Sequence, residues 1–421
     1  MTNSKDASKD AQDKTGKPNK PDKIGKPDKI DKLGKTGKLG KLGKPDRPDK
    51  PDKPSKKTSR AIDKALDKAE EGLAKLDSIH QIGSHATGHE RLAQAAKSSA
   101  LLSSVWSAPP AERLRYNPEP TTHTADRPIA WTLDTIHGGE TPGFHGDKSD
   151  GERFIHISST EISRYQRLLY ANGTHSATST RPADADNDAA AADGASPRSN
   201  NRLLIVLQGM DASGKGGIVK HVFRQGNPMG IHYHGFGAPS EEEASHDFLW
   251  RIKRELPQAG WIGVFDRSHY EDVVMPQVWG TAPERVWRAR YDRINEFEAK
   301  LAASGCSIIK IFLVISPEEQ RRHFLSRLDD PTKRWKFAMS DLDARERWDD
   351  YMTAWSRTFA LTSTNEAPWY LVPADNRWYS RAVVSELLRT TLAGLGLQWP
   401  PLAADVDLQQ VRRRLGDWLN D

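Results

Sequence analysis

The sequence predicts an α/β fold: a parallel sheet covered by helices on both faces, three layers in all, preceded by a disordered tail. Three observations predict it. Short apolar runs bounded by glycine or polar residues, such as LLIVLQ (203–208) and SIIKIFLVIS (307–316), have the pattern of buried strands. Amphipathic helical segments alternate with these runs, which is the order a parallel sheet requires. Residues 1–60 are a low-complexity array with hardly any apolar mass, and such a segment cannot bury enough surface to offset its chain entropy.

The tail explains the composition. The chain has 421 residues, enough for one large domain or two modest ones with a full core. Hydrophobic residues make up 36% and mean hydropathy is −0.72, low for a compact chain of this length, so a polar segment dilutes a globular part. Residues 1–60 hold 19 Lys and Arg against 9 Asp, a net of +10; with +5 for the whole chain, the other 361 residues carry −5. The basic character therefore belongs to the tail, either as a solvating segment or as an arm for a polyanion. It has no aromatics on which bases could stack, so specific nucleic-acid binding is not expected. The single cysteine, Cys306, excludes a disulfide framework or cysteine metal cluster within the chain and suits a reducing compartment. No stretch approaches the roughly 20 apolar residues of a membrane span. The charged N-terminus has no apolar core of the secretory kind, so the expected location is cytoplasmic.

The elements follow in chain order. AIDKALDKAEEGLAKL (61–76) has apolar residues every three or four positions, hence a helix, and opens a helical and irregular region, 61–130. Residues 138–152 are rich in turn formers. EISRYQRLLYANG (161–173) predicts an amphipathic helix stopped by Gly173. Residues 175–201 have the composition of a flexible insertion. A domain over 131–400 is centred on the strand at 203–208 and a helix opened by SGKGGIVKHVFRQ. EEEASHDFLWRIKRELP (241–257) predicts one long helix, WIGVFDRS (261–268) a second strand, 284–305 a helix, 307–316 a third strand and 367–375 a fourth. Residues 401–421 close the chain as a helix. Ligands of such sheets sit at the carboxyl ends of the strands, where both acid-bearing motifs lie.

The first of these motifs, GMDASGK, fits G-x-x-x-x-G-K with Gly209, Gly214 and Lys215. Backbone amides of such a loop converge on phosphate oxygens, the following helix adds its N-terminal dipole, and the lysine neutralises charge. Candidate phosphate contacts are Gly209, Ser213, Gly214, Gly216, Gly217 and Lys220. A hydroxyl usually follows the lysine and holds Mg²⁺. Gly216 has none, so Mg²⁺ (or Mn²⁺) must lean on carboxylates, Asp211 in the loop and Asp266 at the end of the second strand. Asp211 could instead orient or deprotonate an incoming phosphate.

In FDRSHYED (265–272), Asp266 reads as the Walker B-type acid and Arg267 can fork two phosphate oxygens. Glu271 and Asp272 either hold a second metal ion or cap the next helix. EEQRRHFLSRLDDPTKRWKF (318–337) brings Arg321, Arg322, Arg327, Lys333, Arg334 and Lys336 to a position just past a strand's carboxyl end. Residues 318–345 are therefore expected to form a basic lid that excludes water from phosphoryl transfer.

With these motifs in place, the chain resembles the polyphosphate kinase 2 family. The resemblance rests on GMDASGKGG, FGAPSEEEASHDFLWR (236–251), IGVFDRSHYEDVV (262–274), RLDDPTKRWKF (327–337), WDDYMTAWSRT (348–358) and TSTNEAPWYLVPADNRWYSR (362–381), with TPGFHGDK (141–148) ahead of them. It covers roughly residues 130–400. It implies a P-loop kinase-like three-layer sandwich with a helical lid. It also implies Mg²⁺-dependent, reversible transfer of a terminal phosphoryl group between inorganic polyphosphate and a nucleotide, AMP or ADP, with GMP and GDP as further candidates. Asp211, Lys215, Asp266, Arg267 and Arg327 carry over as catalytic residues. The family implies a homo-oligomer, a dimer or tetramer. The ending HYED resembles the subgroup that accepts monophosphates as well as diphosphates. Three positions depart from the pattern: Gly237 stands where relatives often have lysine, Asp266 where relatives ending in HYED often have asparagine, and Gly216 where an acid is more common.

Two rival readings share these residues. An ATP-dependent nucleotide kinase would use the same cradle, acids and lid. A non-catalytic nucleotide or polyanion scaffold would rely on the basic tail, but the intact set Asp211, Lys215, Asp266 and Arg267 argues against it.

Overall fold

The computed structural model describes residues 55–81, 88–121, 129–177, 200–403 and 405–417. Of the tail expected over 1–60, residues 1–54 lie outside the described residues, as does most of the insertion, 178–199, but residues 56–60 are helical rather than disordered, the first turn of the helix that the apolar stripe continues. An N-terminal helical layer comes first. Helix α1, Lys56–Gln81, buries Ile62, Leu66, Ala69 and Leu73, whose spacing of three and four residues draws one apolar stripe. Helix α2, Gly88–Ser103, packs against it, and a short α3, Pro110–Arg113, follows. Strands β1, Asn117–Thr121, and β2, Ile129–Trp131, form an antiparallel pair.

Helix α4 spans Lys148–Ala177, so the predicted stop at Gly173 is wrong. Gly173 lies inside the helix for a packing reason: a Cβ there would strike the Ala259 carbonyl and the Gly260 Cα. The glycine permits a close backbone crossing rather than ending the helix.

The main sheet then assembles around β3, Arg202–Gln208. Helix α5, Lys215–Val222, leads to β4, Ile231–Gly235. The single long helix predicted over 241–257 is two short ones, α6, Glu241–Ser245, and α7, Trp250–Arg254. Asp247 breaks it: its carboxylate accepts the Leu249 amide at 3.2 Å, a local turn that competes with the helical ladder. Strand β5, Ile262–Asp266, is followed by α8, Glu271–Trp279, and α9, Glu284–Ala303. Then come β6, Cys306–Val314; α10, Pro317–Asp329; a 3-10 turn at Arg334–Lys336; α11, Met339–Glu346; and α12, Trp348–Thr362. Strand β7, Trp369–Pro373, and α13, Arg377–Gly394, precede α14, Leu408–Asp417.

The order β4-β5-β3-β6-β7 is parallel throughout. All four predicted strands are present. The fifth, β4, escaped prediction because IHYHG is a polar edge strand with no apolar run. The two-residue period of a strand distributes the core. Leu203, Ile205 and Leu207 of β3 join the cluster that includes Ile218 of α5 and Val383 and Leu387 of α13. Leu204 and Val206 face the opposite cluster, with Tyr291 of α9 and Trp355 of α12. The sheet is thus buried on both faces, the three layers expected of its near-continuous apolar strands.

Candidate active site

The site is built where β3 and β5 end side by side. Their parallel register pairs Leu207 with Asp266, so the loop leaving β3 and the acid closing β5 lie together. The loop from Gly209 to Lys215 turns sharply enough that Gly214 has φ +106°, a conformation other residues resist. Ala212 and Arg267 hold φ +66° without that freedom, the kind of local strain that gathers at functional sites. Two side chains of α10 pin the loop from outside. Gln320 Nε2 donates to the Asp211 carbonyl at 3.0 Å, and His323 Nδ1 lies 2.8 Å from the Ala212 carbonyl. Burial pushes the His323 pKa down, which favours the neutral ring with Nδ1–H as the donor. Lys215 Nζ reaches back to the Gly209 carbonyl at 2.7 Å. Ser213 Oγ is buried with no hydrogen-bond partner among the described residues, as expected of a group reserved for a ligand.

Arg267 Nη2 donates to Asp211 Oδ1 at 2.7 Å and so ties the two motifs together. Burial raises the Asp211 pKa, but Lys215 and Arg267 outweigh it, and the carboxyl is held below its ordinary value. Asp211 is therefore an anion in a cationic setting. The Tyr233 hydroxyl, from edge strand β4, donates to Asp266 Oδ2 at 3.3 Å. Burial raises the Asp341 pKa and Asp211 raises it further; Arg327 stands 3.8 Å away.

These groups open onto one cavity of about 890 Å³. Asp211, Ser213, Gly214, Lys215, Gly216, Gly217 and Lys220 line it from the loop and α5, Asp266 and Arg267 from β5. Arg327, Lys333, Lys336 and Asp341 line it from the segment after β6, Arg377 and Arg381 from α13. Eight Lys or Arg side chains face three carboxylates in these walls, although the chain outside residues 1–60 is net acidic. Such a concentration of positive charge in a cleft selects a polyanion. Asp211 and Asp266 offer hard oxygen donors to a divalent cation, and the glycine at 216 supplies no hydroxyl in their place.

Not every predicted residue reaches the cavity. Gly209 lies behind the loop, with its carbonyl on Lys215. Asp272 is turned to Arg251, 3.3 Å from Nη2, and its backbone carbonyl accepts from Arg290. Glu271 starts α8 without a side-chain cap; burial raises its pKa against the pull of Arg267 and Lys215. Arg321 and Arg322 pair with Glu318 and Glu319 on their own helix, and Arg334 donates to the Leu328 carbonyl. Arg377, Arg381, Tyr233 and Asp341 line the cavity and were not singled out from sequence. The two arginines could have been found: NRWYSR follows the carboxyl end of the fourth strand, the position that drew attention to the lid. Tyr233 had no such signal, because its strand went unseen.

A scan against protein-family models matches residues 186–395 to polyphosphate kinase 2. The chain is 40% identical over 261 residues to the AMP/ADP-polyphosphate phosphotransferase of Meiothermus ruber, covering 62% of this chain and 88% of the relative. It is 35% identical over 286 residues to the ADP-polyphosphate phosphotransferase of Rhodopseudomonas palustris, covering 65% and 90%. Among solved structures, polyphosphate kinase 2 from Arthrobacter aurescens superposes with a TM-score of 0.63 at 39% identity, over 74% of this chain and 98% of that one. A likeness at this level of identity, spanning nearly the whole of each relative, with the family match running across the loop, both acids and residues 318–345, means that the chain belongs to the polyphosphate kinase 2 family of phosphotransferases.

Proposed function

We propose that the cavity transfers the terminal phosphoryl group of inorganic polyphosphate to a nucleoside mono- or diphosphate, AMP or ADP in the first instance, and that the transfer is reversible. The observation that carries this reading is the set of eight cationic side chains around a P-loop, with Asp211 held ionised among them. A nucleotide alone has too few phosphates to occupy so many cations; a linear polyanion has enough to engage Lys215, Lys220, Arg377 and Arg381, which line the same cavity. The names of the relatives from Meiothermus ruber and Rhodopseudomonas palustris point the same way.

In this reading Lys215 and the loop amides bind the phosphates being exchanged. Arg267 and Arg327 neutralise charge that spreads over the equatorial oxygens during transfer. Asp211 and Asp266 would hold Mg²⁺, and the ion would screen the phosphate oxygens from the two carboxylates. Asp211 faces the acceptor phosphate and orients it, which gives a carboxylate in the loop a task. Lys333 and Lys336 close over the donor and exclude water, so that phosphate rather than water receives the group.

The test is an acceptor and donor panel: purified protein with Mg²⁺, polyphosphate and, separately, AMP, ADP, GMP or GDP, with products separated by chromatography. ADP formed from AMP and ATP formed from ADP is the expected result. Transfer from ATP but none from polyphosphate would overturn the reading in favour of an ordinary nucleotide kinase.

A further inference from the structure

Outside the cavity, one cluster of chemically competent side chains has no part in the mechanism above. Strand β4 alternates its side chains, so His232 and His234 share one face and Tyr233, on Asp266, takes the other. β4 is the edge of the sheet. Glu255, one residue beyond α7, reaches the same face. Its Oε2 lies 2.9 Å from His232 Nε2 and 3.0 Å from His234 Nδ1. The three donor atoms all fall within 4.8 Å of one another. None of the three residues lines the cavity.

We propose that His232, His234 and Glu255 form a binding site for one transition-metal ion of the Zn²⁺ class, separate from the divalent ion of phosphoryl transfer. Two imidazoles and one carboxylate match Zn²⁺, Ni²⁺ or Cu²⁺ and are poor for Mg²⁺ and Ca²⁺, which take oxygen ligands. Tetrahedral Zn²⁺ with bonds of about 2.1 Å sets neighbouring donors roughly 3.4 Å apart, so the two carboxylate–imidazole distances open by a few tenths of an ångström while the two imidazole nitrogens, within 4.8 Å of each other, turn onto the ion. The side chains are 37%, 33% and 28% exposed, which leaves a fourth coordination position open to water. His232 hydrogen-bonds the Glu255 carboxylate, and His234 lies within ion-pair distance of the same oxygen. With an ion bound, the sheet edge is tied to the end of α7.

The experiment is calorimetric titration of ZnCl₂ into the full chain, stripped of metal, with Mg²⁺ in excess and no nucleotide or polyphosphate present. The expected result is saturable binding of one ion per chain that Mg²⁺ does not displace. Removing groups that merely orient metal ligands already costs about 10- to 100-fold in affinity, so the double variant His232→Ala, His234→Ala weakens binding at least tenfold. Glu255→Gln, which keeps the side chain's shape, weakens it as well. His156→Ala, at an exposed histidine on α4, leaves binding unchanged. Melting of the metal-free variants checks their fold, and Zn²⁺ raises the melting temperature of the wild type but not of the Glu255→Gln variant. Absence of one-to-one binding, undiminished binding in either variant, or equal competition by Mg²⁺ overturns the proposal.

Discussion

At the scale of single residues, the proposed chemistry turns on a carboxylate kept charged in a partly buried loop. Asp211 is held below its ordinary value of 3.8 because Lys215 and Arg267 outweigh its burial. Replacing it with asparagine removes the oriented anion. Turnover is expected to fall by roughly 100-fold or more, with the circular dichroism spectrum unchanged. The same shift makes a pH prediction. A carboxyl whose pKa is depressed on folding contributes stability above its unfolded value and loses it as pH falls through the folded one. The stability margin between wild type and Asp211→Asn therefore stays constant from neutrality to about pH 5 and changes only at lower pH, as urea titrations at stepped pH values will read. Gly237 offers the opposite kind of test. It lines the cavity, and a Cβ there meets nothing within 4 Å. Gly237→Lys adds a further cation, so KM for polyphosphate is expected to drop a few-fold and to depend more steeply on salt. The loop and its acids were legible in sequence because glycine, lysine and carboxylate stand at a fixed spacing after an apolar run. Arg377 and Arg381 were missed although NRWYSR stands just past the fourth strand, because two arginines there make no charge run like that of 318–337.

At the scale of elements, what the sequence revealed depended on how strongly each segment was patterned. The apolar strands β3, β5, β6 and β7 were visible as runs. The polar edge strand β4 was not, and the break between α6 and α7 lay hidden in one aspartate whose side chain caps a turn. Gly173 shows the same limit from another side. A glycine near the end of an amphipathic pattern reads as a stop, yet here it serves a crossing with Gly260 that only the folded chain creates. Gly173→Val forces α4 away from that backbone, and a loss of about 1–3 kcal/mol is expected from the urea midpoint. Retention of full stability would mean that the crossing is not tight. The segment read as a lid was legible as a charge run, but only part of it lines the cavity. Arg327, Lys333 and Lys336 line the walls, while Arg321 and Arg322 are spent on their own helix.

At the scale of the whole molecule, charge is divided between two places. The basic tail carries +10 while the remainder is net acidic, and yet the cavity of that remainder is strongly cationic. The described walls of the cavity come from the loop after β3, from α5, β4, β5, the segment after β6, and α13. Removing residues 1–54 is therefore expected to leave kcat/KM for short polyphosphate within roughly twofold; a larger loss would make the tail part of the site. Of the N-terminal helices, only α1 and the second half of α4 were foreseen as helices; α2 lay in a region read only as helical and irregular. Their packing, with α1 on α2 and α4 on α13, emerges from stripes that find one another in three dimensions. The central claim is that this cavity uses polyphosphate as its phosphoryl donor, through Asp211. The most direct measurement is the rate at which ATP appears from ADP and polyphosphate in the presence of Mg²⁺, for wild type and Asp211→Asn side by side. Wild type is expected to form ATP with no other donor present, and the variant to lose nearly all of that activity. Equal rates in the two proteins, or product only when ATP replaces polyphosphate as donor, would contradict it.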